Sequence, residues 1–122
     1  MATLNNRVFD NGLTVLDTEA TRVDVTSQEA STYAEATSTF TLGNSTSLSI
    51  GAPADRSGGG RKVAVASITD GSVTGTGTAT HYALVDTNNS RLLATGALTA
   101  SQAVTSGNTF TLATFDIGIP DP

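Results

Sequence analysis

Short runs in which apolar residues occupy every second position recur along this chain, and few folds accept that pattern. RVDVTS (22–27) places Val23 and Val25 on one side and Arg22, Asp24 and Thr26 on the other. TSLSI (46–50) repeats it with Leu48 and Ile50, and NTFTL (108–112) with Phe110 and Leu112. Side chains alternate across a strand with a period of two, so such runs predict strands with one buried face. Thr and Val suit a pleated, half-buried surface and Gly suits its turns. With 122 residues and no Trp, the chain predicts one domain, residues 1–122, with a core of Val, Leu, Ile and Ala. The expected fold is all-β: an antiparallel β-sandwich, immunoglobulin-like or jelly-roll-like, with a short N-terminal helix.

That helix is expected over 5–18, where Phe9, Leu13 and Leu16 fall at i, i+4 and i+7 with Val8 and Val15 alongside. Asn5 or Asn6 can cap it. Thr32 and Glu35 have capping-box spacing, predicting a helical turn near 32–37. GAPADRSGGGR (51–61) breaks all periodicity and predicts a flexible Gly-rich loop. RKVAVASIT (61–69) predicts a strand, and Asp70-Gly71 a hairpin turn at its end. ATHYALVD and RLLATGAL predict two β runs joined across Asn88-Asn89, both covered on two faces at the centre of a sandwich. Phe110 and Leu112 share one parity while Phe115, Ile117 and Ile119 have the other, so a β-bulge or bend is expected near Ala113-Thr114. The closing IPDP predicts an extended tail over 116–122.

A net charge of −5 argues against nucleic acid, which is gripped by clustered Lys and Arg. With no cysteine there is neither a disulfide framework nor a thiolate metal site. The N-terminus has no apolar signal-peptide core and no later run is long enough to span a bilayer, so export and membrane insertion are not expected. His81 is the only histidine. It cannot build a multi-histidine zinc site, no G-x-S-x-G elbow accompanies it, and it reads as a structural side chain. The acidic residues are scattered, and few aromatics are available to line a sugar cleft beside a carboxylate pair. RSGGGRK (56–62) fails as a phosphate loop, because Lys62 leads into a strand where that motif opens a helix. No catalytic residue, cofactor or metal is therefore expected.

Arg56, Arg61 and Lys62 are half of the six basic residues, and a loop of that sign can steer contact with an acidic neighbour. With Phe9 from the helix and Asp116 and Pro120 from the tail, they are the partner-contact candidates. Segments 1–18, 51–61 and 116–122 are the parts expected to reach onto neighbours.

The strings EATSTFTLGN, GTATHYALVDTNNSRLLATGAL and AVTSGNTFTLATFDIGIPDP resemble a family of small proteins of tailed bacteriophages and prophages, often those of alphaproteobacteria. The resemblance runs from Val8 to Pro120. Its most specific parts are a T-H-aromatic-A-L-V-D segment, matched by Thr80 to Asp86, and a D-I-x-I-x-D-P ending, matched by Asp116 to Pro122. It implies a virion protein made in the bacterial host cytoplasm, and it brings no catalytic residues. The expected role is a non-enzymatic capsid decoration or cement protein outside the head, bound to the major capsid protein or other virion proteins and forming a homo-oligomer, with a trimer as the guess. The alternatives are a tail, collar or fibre-anchoring component, or a glycan-binding host-adhesion module using exposed aromatics such as Tyr82.

Overall fold

A computed structural model describes residues 5–120. Residues 1–4 of the expected arm and 121–122 of the expected tail, like the Val8 side chain, lie outside the described residues. Helix α1 (Asn6–Glu19) starts directly after Asn5, one of the two expected caps, and buries Phe9, Leu13 and Leu16. Val15 faces outward at 38% exposure. Thr14 and Thr18 turn their hydroxyls back onto the Asp10 and Thr14 carbonyls, at 2.6 and 3.1 Å, which satisfies polar groups on the solvent side.

Among the described residues nine strands follow: β1 (Arg22–Thr26), β2 (Thr41–Ser45), β3 (Ala54–Asp55), β4 (Arg61–Val65), β5 (Ile68–Val73), β6 (Gly77–Asp86), β7 (Arg91–Val104), β8 (Thr109–Leu112) and β9 (Phe115–Ile119). A six-stranded sheet has the order β7-β6-β1-β2-β5-β8, and a three-stranded sheet the order β3-β4-β9. The strand pairings are antiparallel. The larger sheet is curled, and with the second sheet it makes the all-β, sandwich-like fold expected. Its inner face (Val23, Val25, Leu42, Val73, Leu84, Phe110), Val63 and Val65 of β4, and Leu13 and Leu16 of α1 share one core.

The outer face of β1 is not wet as its alternation predicted. The segment after β1 folds back over it and ends in a π-helical turn, Glu35–Thr39. Ala30, Tyr33, Ala36 and Phe40 thereby cover Ala83, Val85 and Leu92. Asp24, paired across the ladder with Ala83, is completely buried with Thr26. The expected capping box is present with one displacement. Thr32 Oγ1 accepts the Glu35 N–H at 3.1 Å, but the Glu35 carboxylate accepts from Ser31 N–H, at 2.8 Å, one residue early.

Several expectations fail for a common reason: period and turn chemistry say nothing about which strands pair. TSLSI is not a strand. TLGNS, directly before it, is β2 because β1 and β5 flank it on both sides, and Ile50 makes only one bridge, to Val65. Asp70-Gly71 is no hairpin turn but lies inside β5, where a bulge separates the Ile68–Leu112 and Gly71–Phe110 pairs. The loop 51–61 is in part a hairpin, with Ala54 and Asp55 opposite Lys62 and Arg61 and positive φ at Gly58, Gly59 and Gly60. The 116–122 tail is, through Ile119, strand β9 on β4. The β6–β7 hairpin forms as expected, with Ser90, at φ 52°, and not an asparagine as its left-handed residue, but β7 is an edge strand, half-buried or exposed over most of its length, and not a central strand covered on both faces. The bend at Ala113-Thr114 is also found: there the chain leaves the larger sheet for the smaller one, and Thr114 Oγ1 donates to the Val65 carbonyl at 2.7 Å.

Two aromatics sit directly across the ladder from glycines. Phe110 pairs with Gly71 and Tyr82 with Gly96. A Cβ on Gly71 would come within 2.2 Å of the Phe110 ring, and one on Gly96 within 2.5 Å of the Tyr82 hydroxyl. Each ring lies on bare backbone, which only glycine permits.

Candidate functional site

The six partner-contact candidates do not form one surface. Phe9 is 1% exposed and belongs to the interior, so it is unavailable to a neighbour. Arg61 is mostly enclosed as well. Its Nε donates to Asp10 at 2.9 Å, its Nη1 to Asp55 at 2.7 Å, and its Nη2 to the Pro53 carbonyl at 3.3 Å. Both carboxylates raise the guanidinium pKa through these bonds. Arg61 thus ties α1 to the β3–β4 hairpin and does not present a steering charge. Arg56, Lys62 and Asp116 do come together, around a shallow depression of about 370 Å³ completed by Ser57 and Gly118. Lys62 there pairs with Asp116 at 2.9 Å, while Arg56 donates to the Gly59 carbonyl at 3.1 Å. The depression holds two cations and one anion: Asp116 offsets Lys62, and Arg56 is the charge left over. Pro120 is exposed beyond β9.

His81 lies on β6 opposite Thr26 and Ala97. Its Nδ1 is 2.8 Å from Thr80 Oγ1, and that hydroxyl is 3.0 Å from the Ser27 carbonyl. A hydroxyl has one proton. If Thr80 gives it to the carbonyl, Nδ1 must carry a hydrogen to donate, which fixes the neutral tautomer. The ring is thus held by a neighbouring threonine on its own strand.

Two buried acids have structural partners. The Asp24 carboxylate receives Arg22 Nε and Nη2 at 2.7 and 2.8 Å and Thr41 Oγ1 at 2.6 Å. That fork geometry raises the Arg22 pKa and satisfies a charge with no access to water. Asp86 organises the β6–β7 turn. Its oxygens accept the Asn89 side-chain amide at 2.8 Å and the Asn88 and Asn89 N–H groups at 3.0 and 3.3 Å, and these bonds hold its pKa below the ordinary value. Among the described residues no group of three or more His, Cys, Asp and Glu side chains is placed to hold a metal ion, and no helix is long and apolar enough to cross a membrane.

A second concave feature lies elsewhere. β7 and β8 are the two edges of the curled sheet. They touch where Gln102 Nε2 donates to the Thr111 carbonyl at 2.9 Å. Away from that contact they leave a cleft of about 250 Å³ lined by Tyr82, Ala97, Leu98, Thr99, Ala100, Gln102, Thr111, Leu112, Ala113 and Phe115. Tyr82 and Phe115 stack there, with ring centroids 4.2 Å apart, and burial pushes the Tyr82 phenol up. Along the cleft β7 leaves its ladder: the Ala79–Gln102 and His81–Ala97 pairs put Leu98–Ser101 in a bulge, and Leu98, Thr99 and Ala100 of that bulge line the cleft. Sequence reading noticed Tyr82 but not this cleft. Its one linear signal is that no Asp, Glu, Lys or Arg occurs from Leu92 to Phe115. No family model, no curated protein and no solved structure matches this chain.

Proposed function

We propose that this chain is a non-enzymatic structural protein of a tailed-phage virion, a decoration or cement subunit on the outside of the head. One observation carries the step from architecture to assembly: β7 is a fourteen-residue edge strand without a charged residue from Leu92 to Val104. Edge strands present unpaired N–H and C=O groups, and proteins that remain alone blunt them with lysines, prolines, bulges or covering segments. Here the bulge at Leu98–Ser101 is the chief such device, and the rest of the edge suits a protein whose neighbours cover it. Of the strings that resemble phage proteins, one spans the β6–β7 hairpin, and the two most specific segments, Thr80 to Asp86 and Asp116 to Ile119, lie in β6 and β9.

A decoration subunit needs a rigid body and repeated contacts more than chemistry. The buried Asp24 with its Arg22 partner, aromatics seated on glycine and a helix pinned to the second sheet supply rigidity. Symmetry supplies repetition, and many weak contacts at high effective concentration hold a subunit on a shell. In this reading the chain forms a closed oligomer, a trimer by preference, on the major capsid protein. The test is its position and copy number in purified particles. Density at repeated positions on the shell, on the order of hundreds of copies, is expected of a decoration protein. Copies confined to the tail, about six or twelve, would assign it to the collar or tail, and absence from particles would end the virion reading.

A further inference from the structure

Among the described residues four strands end a sheet. β3 is two residues long, β7 carries its bulge, and β8 receives Gln102 from β7. β9 differs: it pairs with β4 residue for residue, unbulged, and has no neighbour on its other side. The bonds on the far side of β4 fix what that free flank presents. There the Ala64 carbonyl accepts the Gly51 N–H at 2.9 Å, and Lys62 lies opposite Ala54. A strand residue turns its N–H and C=O to one side, and opposite residues of an antiparallel pair turn theirs both inward or both outward. Asp116 is opposite Ala64 and Gly118 opposite Lys62. The N–H and C=O of Asp116 and Gly118 therefore point away from β4, and no other described residue bonds them.

This flank is complementary to itself. Paired antiparallel with a second FDIGI about Ile117, it sets Phe115 opposite Ile119 and Asp116 opposite Gly118. Centred on Asp116 it would oppose two like charges, and centred on Gly118 it would oppose Asp116 to Pro120, which has no N–H. Ile117, half-buried, and Ile119, 37% exposed, would both be covered. Charge agrees with the register. Lys62 is satisfied by Asp116 of its own chain, whereas among the described residues Arg56 has only the Ser57 and Gly59 carbonyls. The Arg56 side chain lies over Gly118, where a Cβ would stand 3.0 Å from its Cδ and 3.3 Å from its Nε. What this pairing sets opposite Gly118 is a second copy's Asp116.

We propose that two copies of this chain associate through β9, antiparallel about a two-fold axis at Ile117, joining their three-stranded sheets into one. The outward N–H and C=O groups of Asp116 and Gly118 in each copy bond those of Gly118 and Asp116 in the other. Arg56 of each copy reaches the second copy's Asp116, so the contact is isologous and its ion pair occurs twice. Burial of the isoleucines removes apolar surface from water. The pairing does not rest on the virion role proposed above. On a shell it would join neighbouring oligomers across two-fold axes, whatever contact closes each of them.

The test is sedimentation equilibrium of the full chain, up to millimolar concentration, with two charge variants. Wild type should pair as concentration rises. Arg56→Glu opposes two acids and Asp116→Arg two cations, so each variant alone should pair about tenfold more weakly or worse. Mixed in equal amounts they should pair again as a heterodimer, because each presents the charge the other lacks. A cross-link checks the register. The chain has no cysteine, so Ile117→Cys puts a single thiol on the axis, at a non-hydrogen-bonded position where facing Cα atoms lie about 4.5 Å apart, within disulfide range. With diamide as oxidant it should give a covalent dimer, and Ile119→Cys, which faces the second copy's Phe115, should not. A chain that stays monomeric at every concentration overturns the proposal and leaves the β9 edge to a different protein. So does an assembly indifferent to both charge variants, a mixture that fails to restore pairing, or cross-linking as ready at 119 as at 117. The expected pattern from a chain never found on particles would remove the virion role and leave the contact.

Discussion

Phe110 on Gly71 shows how much a single position can decide. The glycine is required by its neighbour's ring and not by any turn, so Gly71→Ala forces ring or backbone to move. Its expected cost is about 1–3 kcal/mol, the usual range for overpacking, read from urea denaturation. In a Phe110→Leu background the same substitution should cost much less, and a double-mutant cycle measures the difference. The residue-scale misreading of Asp70-Gly71 has the same root. The dipeptide announces a hairpin only if the flanking strands pair with each other, and here β5 pairs with β2 and β8 instead. Asp86 leads to a second prediction at this scale. Its folded pKa is lowered, so its contribution is complete above the ordinary carboxylate value of 3.8 and is lost as pH falls through the lower folded value. Acid unfolding of the wild-type chain should therefore be steeper in that window than that of Asp86→Ala, which is less stable at neutral pH but lacks this titration. Parallel curves would remove Asp86 from the acid response.

At the scale of elements, what could be read depended on whether a segment's own residues determine its state. Helix α1 was legible because Phe9, Leu13 and Leu16 mark one face whatever lies beneath. The β6–β7 hairpin was legible because a polar four-residue connection joins strands that pair with each other. β2 was not legible, since TLGNS owes its strand to β1 and β5; the alternation of Phe115, Ile117 and Ile119 marked β9, but not its pairing with β4, far earlier in the chain. Asp24 was expected in water because nothing in RVDVTS announces that 27–40 will cover it. The role of α1 follows from contacts rather than pattern. Leu13→Ala should cost about 2–5 kcal/mol, as buried Leu truncations do. Arg61→Ala should speed hydrogen exchange in α1 while leaving the β1 and β6 amides slow, since Arg61 is the polar tie between the helix and the β3–β4 hairpin. Uniform acceleration throughout the chain would show that the tie belongs to the global unfolding unit.

For the molecule as a whole, alternation and turn composition were enough to indicate an antiparallel β body with one helix, but not its curl. Curl arises from how six strands twist against each other around one core, and no local pattern encodes where the first and last of them will meet. For that reason the cleft over Tyr82 and Phe115 was invisible beforehand, while the basic cluster looked more important than its ion pairs allow. The passage of the chain at Ala113-Thr114 from one sheet to the other also bears on biosynthesis. Lys62 and its partner Asp116 are 54 positions apart, so β4 emerges from the ribosome long before β9 exists to cover it. During that interval one flank of β4 stands bare, open to strands of other nascent chains. Any message cut short before Phe115 would make that exposure permanent.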